Sequence, residues 1–139
     1  MAEIIQHLIK YTDGELKEIL KNGEVFRKYP KNPKFALEDI RQYLGKITNE
    51  IEVSNLGHIK INGSIVSPFE KDKKGYFYVT LQDKIDYLVY RLVAETWCEF
   101  LLEDSNGWHI HHIVDDGSNN RADNLIWCEG QMHLNRIHK

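Results

Sequence analysis

The sequence predicts an α+β domain: short N-terminal helices, a small antiparallel sheet with a helix after it, and a C-terminal strand, loop, strand and helix. Three observations point there. Asn62-Gly63, a favoured two-residue hairpin turn, sits between apolar runs. Ile85 to Leu102 is apolar but carries Asp86, Arg91, Glu95 and Glu99 at roughly helical intervals, which describes an amphipathic helix and not a membrane span. The last segment, Trp108 to His138, alternates, turns polar, alternates again and ends with helical spacing. With 139 residues and 42% hydrophobic side chains, the chain can bury one core. It divides into a helical N-terminal extension, 1–45, and a domain over 46–139, the latter split into sheet and helix (46–104) and the C-terminal unit (105–139).

Thr12 and Glu15 have capping-box spacing ahead of Leu16, Ile19 and Leu20, and Gly23 follows where a left-handed cap belongs, so Asp13 to Lys21 is expected as a helix. A second helix is expected from Ala36 to Leu44, stopped by Gly45. Tyr29-Pro30 and Asn32-Pro33 connect the two, since proline pushes its predecessor out of helical geometry. Ile59 to Ile61 and Ser64 to Val66 should pair across Asn62-Gly63. Tyr76 to Leu81 reads as a third strand opened by Gly75, and Tyr87 to Tyr90 as a fourth, leading into a helix from Arg91 to Leu101.

The C-terminal segment holds five of the seven histidines. Trp108 to Val114 reads as a strand, Asp115 to Asp123 as a polar loop, Leu125 to Cys128 as a second strand and Gln131 to His138 as a helix. In such a unit the end of the first strand lies over the first helical turns, which would bring His111 and His112 near His133. Imidazole is both the commonest protein metal ligand and the best general base near neutral pH.

This segment resembles the HNH endonuclease motif. His111 and His112 match its leading pair, Asn124 its middle Asn and His133 its helical position, with spacings of twelve residues from His112 to Asn124 and nine from Asn124 to His133. Asn119-Asn120-Arg121 and Asn124-Leu125-Ile126-Trp127-Cys128 are similar to the NNRxxNLxWC string of the phage homing-type subgroup. Upstream, Ile51 to Lys60 resembles the YEVSNLGRVxS module that precedes such domains. Tyr90 to Glu95 resembles the HRLVAxAF helix, with Tyr90 where His is usual. The resemblance covers roughly Lys46 to His138.

The resemblance implies a ββα-metal fold and a phage or mobile-element endonuclease that hydrolyses DNA phosphodiester bonds, nicking or cutting both strands and leaving 5′-phosphate ends. His112 is then the general base. Asn124 completes the catalytic constellation, expected to pin the loop by amide hydrogen bonds to backbone. His111 and His133 hold one divalent ion, Mn, Co, Ni, Zn or Mg, leaving positions open for phosphate and water. A homodimer or a phage protein is a possible further partner.

Net charge is −3, awkward for a DNA enzyme, because phosphate neutralisation by Lys and Arg usually dominates affinity. Arg27, Lys28, Lys31 and Lys34 cluster without an acidic residue, and are read either as a phosphate-contacting patch or as a solvated loop. Arg121 and Arg136 carry the same two readings. Asp115-Asp116-Gly117 is what a hairpin loop requires anyway. Cys98 and Cys128 are not spaced as a zinc site and suit a reducing compartment, and no basic run precedes a cleavable apolar stretch, so a cytoplasmic protein is expected. The alternative from another class is a non-catalytic nucleic-acid-binding or phage-assembly protein that keeps the fold.

Overall fold

The computed structural model describes residues 9–30, 49–71, 75–81, 85–98, 108–114 and 116–129. The helices expected over Ala36 to Leu44 and Gln131 to His138 lie outside them, as do Lys31, Lys34, Asp115, His133 and Arg136.

The first helix, α1 (Asp13–Asn22), has the expected capping box: the Glu15 N–H donates to Thr12 Oγ1 at 3.1 Å and the Thr12 N–H to Glu15 Oε1 at 2.9 Å. It ends at Gly23 with φ 79°, whose N–H donates to the Ile19 carbonyl.

Next comes β1 (Phe26–Lys28), which sequence patterning did not reveal, because three residues with two charges offer no alternation to read. It pairs antiparallel with β2 (Ile51–Ser54), which pairs with β3 (Ile59–Ile61), itself paired with β4 (Ser64–Val66). Asn62 (φ 53°) and Gly63 (φ 84°) make the expected hairpin turn. Val53 and Ile59, directly paired, are fully buried on the inner face.

A second antiparallel sheet has the order β5 (Phe69–Glu70), β6 (Phe77–Leu81), β7 (Ile85–Leu88). The second helix, α2 (Val89–Trp97), follows directly. Here the structure corrects the expected boundaries. Pairing of Tyr87 with Val79 and Leu88 with Tyr78 ends the strand at Leu88, so Val89 and Tyr90 are helical. The helix stops at Trp97, because Cys98 turns extended (φ −88°, ψ 127°) with its buried thiol against the Ala122 and Leu125 carbonyls.

Seven of the nine residues of α2 are buried, Glu95 and Thr96 among them, while Tyr90 and Arg91 are half-buried. It packs on β2, β6, β7 and the C-terminal hairpin, β8 (Trp108–His112) and β9 (Leu125–Glu129). Among the described residues no helix is long and apolar enough to cross a membrane.

The first described segment packs into the rest of the fold. Tyr29 lies in the core, its hydroxyl donating to Glu95 Oε1 at 2.5 Å. Arg27 donates from Nε and NH2 to Glu15 at 2.9 and 2.7 Å, and to the carbonyls of Thr96 and Lys10, each at 3.0 Å, with its guanidinium 4.0 Å from the Trp97 ring centroid. Residues 9–30 are thus built into the domain.

Candidate active site

The hairpin register runs from Trp108 opposite Glu129 to His112 opposite Leu125. Alternation places Ile110 and His112 on the face that packs in the core with Leu125 and Trp127, and His111 with Ile126 on the other. The two histidines expected in one cluster are therefore directed to opposite faces of the strand end. His112 is 7% exposed and His111 half-buried.

Three side chains surround the His112 imidazole. Asn120 Oδ1 lies 2.9 Å from Nε2. Tyr90 meets the ring edge-on at 5.1 Å between centroids, and Tyr76 lies at 6.1 Å, tilted 34°. An amide oxygen only accepts, so with Oδ1 facing the ring the proton of a neutral imidazole would sit on Nε2 and the lone pair on Nδ1.

Asn124 holds the loop closed. Its Oδ1 accepts from the Val114 N–H at 2.7 Å, and its Nδ2 donates to the carbonyls of Asn119 at 3.0 Å and Val114 at 3.3 Å. The Ile113 N–H donates to its backbone carbonyl. Both amide hydrogens thus serve the backbone between β8 and β9. Within the loop, Asp116 Oδ1 accepts from the Ser118 hydroxyl (2.6 Å) and N–H (3.0 Å), which holds its carboxyl below the usual range. Arg121 pairs with Asp123 at 3.2 Å through exposed side chains.

The loop has a backstop that sequence reasoning missed. Between β2 and β3, Ser54 Oγ accepts from the N–H groups of Leu56 (3.1 Å) and His58 (3.0 Å) and makes a tight turn. Asn55 fastens this turn to the N-terminal segment, accepting at Oδ1 from the Val25 N–H at 2.9 Å, and its carbonyl accepts from the Ala122 N–H at 2.9 Å. Gly57 (φ 93°) touches the loop: a β-carbon there would stand 2.7 Å from the Asn120 carbonyl oxygen. On the other side, a β-carbon on Gly117 would meet the Gly75 carbonyl oxygen at 2.5 Å. The resemblance singled out Ser54 to Gly57 and Asn119-Asn120-Arg121 as strings; which of their residues touch was not readable from spacing.

Glu95, fully buried, is the other charged feature of the interior. It accepts from Tyr29, from Tyr87 (2.8 and 3.0 Å) and from Arg91 Nε and NH2 (3.1 and 2.9 Å). Burial pushes its carboxyl up against the opposing pull of Arg91 and the two hydroxyls. With every oxygen engaged, this network ties the N-terminal segment to α2.

Of the expected metal ligands only His111 lies within the described residues. No three His, Cys, Asp or Glu side chains converge among those residues. Of the expected basic patch, Arg27 is turned inward as described, and Lys28 is exposed, 4.0 Å from Glu50.

Comparisons with protein-family models, with curated proteins and with solved structures found no match to the chain.

Proposed function

We propose that the chain is a metal-dependent endonuclease of the HNH type, hydrolysing DNA phosphodiester bonds, with His112 as general base. The observation that carries this reading is a histidine at the end of β8, in the position the motif requires, enclosed by a loop that Asn124 fastens through its side-chain amide. A base must be held relative to the phosphate it serves, and a loop fastened at both ends provides such a frame.

Phosphodiester hydrolysis needs a deprotonated water on one side of phosphorus and stabilisation of the leaving 3′ oxygen on the other. His112 takes the proton of the water at Nδ1. A divalent ion, when bound, supplies Lewis-acid stabilisation of the phosphate and leaving oxygen, and His111 with His133 are the residues proposed to hold it.

One observation favours a second reading, a nucleic-acid-binding protein without cleavage: His112 is almost fully buried, as a purely structural histidine would be. Conversion of supercoiled plasmid to nicked circle by the wild type, abolished by EDTA and by His112→Ala, is the result expected of the nuclease. Plasmid binding without nicking under any divalent metal would replace that reading with the second.

A further inference from the structure

We infer that Asn120 is the positioning residue of this site: it fixes the His112 imidazole in the Nε2–H tautomer, so that Nδ1 is the atom that accepts the proton of the attacking water. The inference rests on the nuclease reading for its chemistry, and on the structure alone for its geometry.

Asn120 Oδ1 and His112 Nε2 are 2.9 Å apart, and both residues are buried, at 8% and 7% exposure. In this dry setting the bond competes with little water, and with the amide oxygen facing the ring the opposite tautomer would set two lone pairs against each other. Tyr90 edge-on and Tyr76 tilted against the ring leave it little room to turn. Asn120 is itself held from behind. The Gly57 backbone lies so close to the Asn120 carbonyl that no side chain fits between them, and the Ala122 N–H two residues on is bonded to the Asn55 carbonyl.

Nδ1 takes a proton from water as the oxygen attacks phosphorus, and the ring becomes imidazolium with an N–H at each nitrogen. Asn120 Oδ1 accepts from Nε2 before and after, so the step needs no rearrangement of the site. The turn between β2 and β3, outside the hairpin itself, is therefore part of the machinery that aims the base.

The test is nitrogen NMR of the neutral His112 ring in full-length protein at alkaline pH with chelator present, which needs neither DNA nor metal. The wild type is expected to show the Nε2–H tautomer. Asn120→Ala and Gly57→Ala should each shift it towards a mixture, whereas Asn120→Asp, which keeps an acceptor oxygen, should retain it. In single-turnover cleavage, Asn120→Ala should lose about 10–100-fold in rate, the usual scale for a supporting partner, with DNA affinity unchanged, and Asn120→Asp should recover most of that rate. A wild-type ring protonated on Nδ1 overturns the inference even if no variant folds, and so does an unchanged tautomer in a folded Asn120→Ala. An Nε2–H tautomer in a protein that cuts no DNA leaves the positioning in place and removes only the nuclease reading.

Discussion

The α-carbon of Gly57 packs against the Asn120 carbonyl so closely that an added β-carbon would lie 2.7 Å from the oxygen. Two segments over sixty residues apart in the chain thus meet without a side chain between them. The contact joins the turn after β2 to the loop that carries the partner of His112.

Gly57→Ala should therefore be costly for its size. The alanine would be strained at φ 93° and would also push on backbone, which cannot swing aside as a side chain can. We expect a loss of about 2–3 kcal/mol in urea unfolding, on the scale of strained backbone positions. A loss under about 0.5 kcal/mol, the range of neutral surface changes, would show that the loop does not rest on this turn.

His112→Ala should lower cleavage by about two to four orders of magnitude, the usual contribution of a general base. DNA binding, measured by fluorescence anisotropy, should be nearly unchanged, with folding checked by circular dichroism. Loss of binding in step with activity would mean that His112 supports the surface that holds DNA.

The proposed metal ligands are imidazoles, which favour Mn²⁺, Co²⁺, Ni²⁺ and Zn²⁺ over Mg²⁺. Mn²⁺, Co²⁺ or Ni²⁺ should support nicking at lower concentration than Mg²⁺, and His111→Asp should move the preference towards Mg²⁺. If Mg²⁺ works best in the wild type and His111→Asp leaves the order unchanged, His111 does not hold the ion.

Arg91→Met would leave the Glu95 carboxylate buried without its counter-charge, at a cost of about 3–5 kcal/mol near neutral pH. The pH dependence has a definite sign. Burial holds the folded carboxyl above its unfolded value of about 4.3, so the linked stability is complete below that pH and is lost as pH rises through the folded value. Removing Arg91 raises the folded value further. The deficit of Arg91→Met relative to wild type should shrink between pH 7 and pH 5 in thermal unfolding, and a deficit independent of pH would argue against a charged Glu95.

Glu15 carries the opposite sign. The Arg27 hydrogen bond foremost, outweighing partial burial, holds its carboxyl below the usual range. Its stabilisation is present above about pH 4.3, the unfolded value, and is lost as pH falls through the lower folded value. Glu15→Gln should cost about 1 kcal/mol at pH 7, the scale of one hydrogen bond, and should flatten the acid limb of urea unfolding below about pH 4. An acid limb identical to wild type would place the titrating group elsewhere.

Local pattern by itself determined the elements set by capping, turn chemistry or alternation. The Thr12–Glu15 capping box, the Gly23 stop, the Asn62-Gly63 hairpin and the two strands flanking the polar loop were all legible, because capping, turn geometry and alternation are set by neighbours in the chain. The candidate base was legible for a different reason, its place in a motif string. Tertiary structure alone decided what several other side chains touch. Arg27, read either as part of a phosphate-contacting patch or as part of a solvated loop, is bonded to the Thr96 carbonyl 69 residues away, and Tyr29, expected in a connecting turn, is bonded to Glu95 at a separation of 66. Asn120 was one polar residue among several until the fold set it against His112, and Gly57 a turn residue until the loop came to rest on it. The physical reason is common to all four. A charged, aromatic, amide or absent side chain offers the same chemistry to solvent, to a ligand or to the interior, and which of these it meets depends on contacts between segments distant in the chain, where local periodicity carries no information.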